Sequence, residues 1–273
     1  MPDISFRKLF DLSGKTALVT GACGLLGRRF AAGLAEFGAD LVVVDLDATK
    51  SADLAAELAK RHGVKAIGLA CDVAHSSAVT DMADIAERFA AIDILLNNAA
   101  SKGGSLDAFF APVESFDLGT WREIMSVNLD GVFLVAQALG KKMADRGRGS
   151  IIQTASIYGL LAPDQRIYEG SEYNGRAINT PAVYTASKAG VIGLTRHLAT
   201  CWAGRGVRVN TLTPGGVASG QNEEFNRRYS ARIPLGRMAE ADDLVGAAIF
   251  LASDASRYVT GQNIIVDGGL SAW

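Results

Sequence analysis

The chain has 273 residues, of which 49% are hydrophobic and 21% charged, and a formal net charge of −2. This composition is typical of a globular protein with a sizeable core. The net charge shows no excess of basic residues that would indicate binding to nucleic acid or to an anionic membrane. The three cysteines and three histidines are scattered without metal-ligand spacing, so no metal site is expected and the thiols fit a reducing, cytoplasmic compartment. The first residues lack the apolar core of a secretory signal, and no apolar run approaches the ~18 residues of a membrane span.

Strand and helix patterns alternate along the chain. Buried-strand patterns occupy residues 15–20, 41–45, 65–70, 92–96, 150–154, 207–212 and 263–266. Helical patterns follow at 51–61, 76–89, 121–145, 184–203 and 241–253, and a first helix ends near Phe37. This alternation predicts an α/β fold with a doubly wound parallel sheet of about seven strands and helices on both faces. No linker interrupts the pattern, so we expect one domain over 1–273, with 1–14 as a docked leader.

Three glycines separate the first strand from the first helix. Gly21, Gly24 and Gly27 allow a tight turn and a close backbone approach, and they leave helix N–H groups free for a pyrophosphate. Asp45 ends the second strand 24 residues after Gly21, where a carboxylate can accept hydrogen bonds from the adenosine ribose hydroxyls. The sequence therefore predicts a dinucleotide site.

The same carboxylate predicts which dinucleotide is preferred. Asp45 would repel a 2′-phosphate, and Leu46-Asp47 adds no cation beside it. Arg28 and Arg29 argue in the other direction, but inside the first helix they are expected to face solvent. We therefore predict NAD(H) over NADP(H).

A second pattern, Tyr184-x-x-x-Lys188, lies in the helix predicted from 184. Residues four apart share one helix face, so the phenol and the ammonium are expected to point into the same space. A nearby cation favours the phenolate, which predicts a lowered Tyr184 pKa and a usable proton-transfer group.

These motifs together resemble the short-chain dehydrogenase/reductase family, over nearly the whole chain from Lys15 to Gly269. The residues that carry the resemblance are Thr20-Gly21-x-x-Gly24-x-x-Gly27, Asp72-Val73, Asn97-Asn98-Ala99-Ala100, Asn128, Ser156, Tyr184, Lys188, Pro214-Gly215 and Val266-Asp267-Gly268-Gly269. The resemblance implies a Rossmann fold, a nicotinamide cofactor, interconversion of a secondary alcohol and a ketone, and a homo-oligomer, either dimer or tetramer.

The resemblance also implies a role for each matched position. Tyr184 would transfer the proton, Lys188 would bind the nicotinamide ribose, Ser156 would polarise the substrate carbonyl, and Asn128 would hold a helix kink and a relay water. The cofactor would contact Gly21, Cys23, Gly24, Leu25, Leu26, Gly27, Asp45, Leu46, Asp72, Val73, Asn98, Ala99, Ala100, Tyr184, Lys188, Pro214, Gly215, Val217 and Ser219.

The chain departs from the family pattern in three places. Gly24 is displaced by one residue, and Ala100 stands where glycine is usual. The Ser–Tyr separation is usually about a dozen residues, whereas Ser156 and Tyr184 are 28 apart. Ser171 lies at the familiar distance, but its neighbours do not resemble a strand end, so we assign Ser156 and treat 160–180 as an insertion.

The insertion is rich in polar residues and adjoins catalytic positions at both ends, which is typical of functional loops. It favours a sugar, polyol or hydroxy-acid substrate, with Arg166 or Arg176 as a possible clamp for a carboxylate, although a surface loop or subunit contact is an equal alternative. A second loop over 219–235 is expected to close over substrate.

Two other functions remain open at this stage. The Gly24 spacing is also found in sugar-nucleotide epimerases and dehydratases that retain NAD, although 273 residues leave little room for their substrate domain. A non-catalytic NAD-sensing protein on the same fold is the other alternative, against which Ser156, Tyr184 and Lys188 all argue. The partner expected in each case is a small molecule.

Overall fold

The sheet is described from a computed structural model, which covers residues 5–173 and 175–273. The nine strands are β1 (Thr16–Thr20), β2 (Asp40–Asp45), β3 (Ala66–Ala70), β4 (Ile94–Asn97), β5 (Gly149–Thr154), β6 (Glu172–Tyr173), β7 (Arg176–Ala177), β8 (Val207–Pro214) and β9 (Asn263–Val266). Seven of them form one parallel sheet in the order β3-β2-β1-β4-β5-β8-β9, and β6 pairs with β7 in a separate antiparallel hairpin. The predicted seven-stranded doubly wound sheet is confirmed.

Helices connect the strands and cover both faces. They are α1 (Leu25–Glu36), α2 (Ala48–His62), α3 (Ser76–Phe89), α4 (Leu106–Phe109), α5 (Leu118–Met125), α6 (Val132–Arg146), α7 (Ala182–Trp202), α8 (Glu223–Ser230) and α9 (Val245–Ala252). The strand order reverses between β1 and β4, and their carboxyl ends open the crevice in which such sheets bind ligands.

The core consists of two layers because alternate residues of each strand point to opposite faces. Ala17 and Val19 of β1 pack against α1, α2 and α9, whereas Leu18 packs with α3, α6 and α7 on the other face. All three are fully buried, which explains the unbroken apolar pattern of the strand.

The predicted long helix over 121–145 is longer and is not uniform. It begins at Leu118, where the Asp117 side chain accepts a hydrogen bond from the Thr120 amide, and it ends in Gly147 at φ +75°. Between α5 and α6, Ser126–Gly131 form a π-helical segment. Periodicity could not predict this segment because one wide turn leaves the apolar spacing on either side intact.

Residues 5–14, the described part of the leader, contact the end of α1. Leu12 is fully buried and its amide donates to the Phe37 carbonyl. No helix in the two described stretches of chain has the length and hydropathy of a membrane span.

Candidate active site

One large cleft lies over the carboxyl ends of the central strands. It encloses about 1160 Å³ and is lined by the ends of β2, β5 and β8, by the turns that follow β1, β3 and β4, and by residues of the insertion. Of the residues predicted to contact the cofactor, all but Gly27 line it. Ser156, Tyr184 and Lys188 line it too, whereas Asn128 does not.

Gly27 is behind the cleft, which corrects its predicted cofactor contact. It is buried in α1, and a Cβ atom there would collide with the Gly21 carbonyl and the Ala22 backbone. Its glycine requirement therefore comes from packing between the helix and the turn. Gly21 adopts φ +60°, and a Cβ there would lie 2.8 Å from Ala99 Cα.

The start of α1 is open to the cleft. Its N-cap is Gly24, so no side chain caps the first turn, and no acidic residue lies in that turn. Leu25 and Leu26 line the cleft with their helix N–H groups unpaired by the helix itself. The arrangement fits an anionic pyrophosphate, as the glycine pattern predicts.

Asp45 joins the second strand to the glycine turn. Its carboxylate accepts the Cys23 amide at 2.8 Å and the Leu46 amide at 2.8 Å, which leaves further acceptor capacity directed at the cleft. Arg28 and Arg29 lie outside the cleft lining. Arg29 pairs with Asp242 on another surface, in agreement with the expectation that both arginines face solvent.

A buried polar clasp holds the turn against the end of β4. The fully buried Thr20 hydroxyl accepts the amides of Asn98 (3.0 Å) and Ala99 (3.1 Å) and donates to Asn97 Oδ1 at 3.1 Å. The Asn98 side chain donates to the carbonyls of Thr20 and Gly21, both at 3.3 Å. The two asparagines thus fix the floor of the cleft through backbone groups.

The turn after β3 borders the part of the cleft in which the adenine is predicted to bind. Asp72 accepts the Ala74 amide at 3.0 Å and pairs with His75 Nδ1 at 3.0 Å. Val73 is buried and packs closely on Gly131, where a Cβ atom would lie 2.8 Å from Val73 Cγ2 and 3.1 Å from the Val73 carbonyl oxygen. These contacts keep a polar side chain and an apolar one at the edge of the cleft.

The Tyr184–Lys188 pair lies on α7 at the opposite end of the cleft. Lys188 is only 3% exposed, and its ammonium donates to the Thr154 carbonyl at the end of β5, at 2.9 Å. Burial lowers the pKa of Lys188 to about 8.

The predicted lowering of the Tyr184 pKa is wrong for the protein by itself. Burial raises the pKa of the phenol and the nearby Tyr168 adds to the rise, while the Ser156 side chain acts in the opposite direction. Lys188 does not contribute because its ammonium is directed to the Thr154 carbonyl and its own charge is costly to bury.

Ser156 rather than Ser171 accompanies Tyr184. Ser156 follows β5 directly, is 8% exposed and lines the cleft, and its side chain accepts the Tyr158 amide at 3.3 Å. Ser171 is buried outside the cleft lining, and its hydroxyl donates to the Ile167 carbonyl at 2.7 Å. The choice made from the strand-end pattern therefore agrees with the geometry.

Asn128 lies within the π-helical segment and is fully buried. Its Oδ1 accepts the Ser101 amide at 2.7 Å and its Nδ2 donates to the Ser101 carbonyl at 3.1 Å. The predicted helix irregularity is present, but the side chain anchors the loop after β4 and does not line the cleft.

The loop after β8 closes the side of the cleft at which the nicotinamide is predicted to bind. The Gly215 amide donates to the Val266 carbonyl at 2.9 Å, and the Ala218 amide donates to the Ala239 carbonyl, also at 2.9 Å. The side chain of Gln221 accepts a hydrogen bond from the Ser219 amide and donates one to the Ser219 hydroxyl. These two bonds hold Ser219 in place at the start of the 219–235 loop.

The insertion and the second loop form one structure, which we call the cap (160–180 with 219–235). Sequence reasoning expected loops here, whereas the described residues contain the β6–β7 hairpin and α8. Tyr168 stacks on Phe225 with ring centroids 5.8 Å apart, and the Asn222 amide donates to the Glu172 carbonyl. The cap also places in the cleft side chains that the sequence reading did not select: Tyr168, Tyr173, Asn179, Thr180, Gln221, Phe225 and Tyr229. Tyr158 and Met238, which lie just outside the cap in the chain, line the cleft as well. Their aromatic content was visible, but their convergence depends on two distant segments.

Neither arginine of the insertion lies in the cleft lining, which corrects the predicted carboxylate clamp. The Arg166 side chain is 85% exposed and its guanidinium donates two hydrogen bonds to Asp164, and Arg176 donates to Asp107 at 2.6 Å. Both charges are paired on the outer surface.

Comparison with known proteins agrees with this geometry. A family model described as Enoyl-(Acyl carrier protein) reductase matches residues 21–271. A D-threitol dehydrogenase of Mycolicibacterium smegmatis is 40% identical over 266 residues, which span 95% of this chain and 94% of that protein. A gluconate 5-dehydrogenase of Gluconobacter oxydans is 38% identical over 277 residues, 98% and 99% of the two chains.

A solved structure provides the same match in three dimensions. The crystal structure of a gluconate 5-dehydrogenase from Burkholderia cenocepacia, in complex with NADP and tartrate, superposes with a TM-score of 0.86 at 38% identity and covers 97% of this chain and 98% of that one. Sequence motifs, sheet order and relatives agree, and the chain therefore belongs to the short-chain dehydrogenase/reductase family, as an NAD(P)-dependent oxidoreductase that acts on CH–OH groups.

Proposed function

We propose that this protein oxidises a secondary alcohol of a polyhydroxylated small molecule to a ketone, or catalyses the reverse reaction, with NAD(H) as its preferred cofactor. The observation that carries the proposal is that Ser156, Tyr184 and Lys188 meet at one end of a cleft whose other end is the open start of α1.

The residues present fit a dinucleotide. The uncapped first turn of α1 suits the pyrophosphate, and the Asp45 carboxylate retains acceptor capacity for ribose hydroxyls. When bound, the nicotinamide accepts or supplies the hydride; the protein supplies positioning and proton transfer.

Tyr184 is the group that takes the proton from the substrate hydroxyl during oxidation. Ser156, beside it, orients the hydroxyl and stabilises the carbonyl oxygen that forms. Lys188 is held at the Thr154 carbonyl, within one helical turn of Tyr184, and stabilises negative charge that develops nearby when it is protonated. Asn128 acts as a positioning residue because it fixes Ser101 beside the cleft.

The cap supports a substrate with several hydroxyl groups. Tyr168 and Thr180 have their hydroxyls 2.5 Å apart, and Asn179 and Gln221 add amides to the same lining. Groups of this kind exchange hydrogen bonds with hydroxyls as donors and acceptors. The threitol and gluconate dehydrogenases named above act on such compounds, which supports the proposal without naming the substrate.

The NAD preference rests on Asp45, because a carboxylate at the ribose would repel a 2′-phosphate. The NADP in the Burkholderia relative makes this a point for direct test. We expect kcat/KM to be higher with NAD than with NADP, and Asp45→Ala to raise the NADP-to-NAD ratio at least about tenfold, a change of ~1.4 kcal/mol. A wild-type preference for NADP would contradict the assignment.

The function itself is tested by NADH absorbance with a panel of alditols, aldonates and hydroxy acids. Net NADH formation supports the dehydrogenase and excludes an epimerase that retains its NAD. Cofactor binding without turnover of any compound in the panel, in either direction, would favour the sensing protein instead.

We also infer that 1–273 form one domain and that the protein is a homo-oligomer. The single parallel sheet supports the first, and the exposed apolar side chains Leu118 and Phe133 on α5 and α6 support the second. Light scattering coupled to gel filtration would measure the oligomeric state.

A further inference from the structure

The substrate end of the cleft contains a cation that no motif selected. Lys102 lies five residues after the end of β4 and lines the cleft. Its neighbour Ser101 is held through both its amide and its carbonyl by Asn128, so the base of the Lys102 side chain starts from a fixed position. Its ammonium lies 4.3 Å from the ring centroid of Tyr173 in the cap hairpin.

Three lysines line the cleft, and the ammonium groups of two of them have a partner within the protein. Lys50 is at the nucleotide end and pairs with Asp47 at 3.2 Å. Lys188 is buried and donates to the Thr154 carbonyl. Lys102 forms no ion pair with any carboxylate in the described stretches 5–173 and 175–273, and its ring contact leaves the ammonium hydrogens available.

The distribution of negative charge supports a ligand at this position. The cleft carboxylates Asp45, Asp47 and Asp72 follow β2 and β3, at the nucleotide end. Near Lys102 the lining contains Glu123, whose Oε1 accepts the Gly104 amide at 2.9 Å. Partial desolvation lowers the pKa of Lys102, which indicates that the ammonium lacks a compensating anion in the protein alone.

We propose that Lys102, supported by Tyr173, binds a carboxylate of the substrate, so that the enzyme favours sugar acids over the corresponding neutral alditols. The inference rests on the proposed function and names the substrate class for that same cleft. It assigns to Lys102 the role that sequence reasoning gave to Arg166 or Arg176, which are paired outside the cleft.

The test compares matched substrates that differ only at one carbon. Threonate and threitol share a four-carbon chain, as gluconate and glucitol share a six-carbon chain, and each pair exchanges a carboxylate for a CH₂OH group. The acid-to-alditol ratio of kcat/KM is measured for wild type, Lys102→Met and Lys102→Arg, with Arg176→Gln as the matched control outside the cleft.

We expect wild type to favour the acid and Lys102→Met to lower the ratio about 10- to 100-fold, the range of a charged hydrogen bond. Lys102→Arg should keep most of the ratio, Arg176→Gln should leave it as in wild type, and added salt should reduce it only when the cation is present. A wild-type ratio near one, or an equal fall for acid and alditol in Lys102→Met, would overturn the inference.

A binding measurement separates this inference from the proposed function. Calorimetric titration of tartrate into the NADH-saturated protein measures carboxylate binding without turnover. About tenfold weaker tartrate binding by Lys102→Met, with unchanged NADH binding, supports the anchor even if no alcohol in the panel reacts. Equal tartrate binding by both proteins, or a matching loss of NADH affinity, overturns it and leaves the dehydrogenase assignment to the NADH assay.

Discussion

The two ends of the cleft are built in different ways. At the nucleotide end, short turns after β1, β2 and β4 meet, and backbone groups of Cys23, Asn98 and Ala99 form most of the contacts. At the substrate end, the cap packs side chain against side chain, as in the stack of Tyr168 on Phe225. Backbone contacts tolerate little change in geometry, whereas side-chain packing lets one fold accept different substrates.

Substitutions at the two ends of the cleft should therefore have different effects. Changes at the nucleotide end should reduce stability or cofactor binding for every substrate, and changes in the cap should alter substrate use alone. Tyr184 lies on α7, outside the cap, and its hydroxyl should affect the chemistry without affecting either kind of binding. Four substitutions test this division, in order of expected effect.

Tyr184→Phe should have the largest effect. It removes the transferable proton and keeps the ring, so kcat should fall about 10²- to 10⁴-fold, the range of general acid–base catalysis. Stopped assays of turnover measure kcat, and titration of NADH fluorescence measures the Kd for NADH, which should stay as in wild type. Turnover within about tenfold of wild type would remove Tyr184 from its assigned role.

Thr20→Val should destabilise the nucleotide end. Valine keeps the shape but leaves the backbone amides of Asn98 and Ala99 and the side-chain oxygen Oδ1 of Asn97 without their partner, at about 1–3 kcal/mol for each buried group. We expect the free energy of unfolding to fall by roughly 3 kcal/mol in urea denaturation. Thr20→Ser, which keeps the hydroxyl, is the control; an equal loss in both variants would show that packing, not the clasp, is responsible.

Lys188→Met should remove a pH dependence of stability. Because burial lowers the folded pKa of Lys188 to about 8, the unfolded chain binds more protons between that value and its ordinary pKa. The cost of burying the charge is therefore full below pH ~8 and disappears as pH rises towards ~10.4. Relative to Lys188→Met, wild type should gain about 2 kcal/mol between pH ~7 and ~10. A constant difference across these pH values would contradict the lowered pKa.

Tyr168→Phe should give the smallest effect and only at the substrate end. It keeps the stack on Phe225 and removes the hydroxyl that contacts Thr180. The KM for a reactive alditol should rise about fivefold, the scale of one neutral hydrogen bond of ~1 kcal/mol, with the Kd for NADH unchanged. A comparable change in the Kd for NADH would mean that the cap also organises the nucleotide end.

Much of the nucleotide end could be predicted because its signals are local. The glycine turn, Asp45 and the paired asparagines each lie within a few residues of a strand end, and strand ends meet at one edge of a parallel sheet. Gly27 and Asn128 were harder to place, because a residue that packs behind a site carries the same motif signal as one that lines it. The Tyr184 pKa was predicted with the wrong sign because helical spacing does not include desolvation.

By itself the sequence determined the sheet, the family and the positions of Ser156, Tyr184 and Lys188, since periodicity and short motifs are properties of neighbouring residues. The tertiary structure alone decided that Arg166 and Arg176 pair outside the cleft while Lys102 enters it. The physical reason is that electrostatic pairing depends on distances between segments far apart in the chain, and those distances exist only after the cap has packed on the sheet.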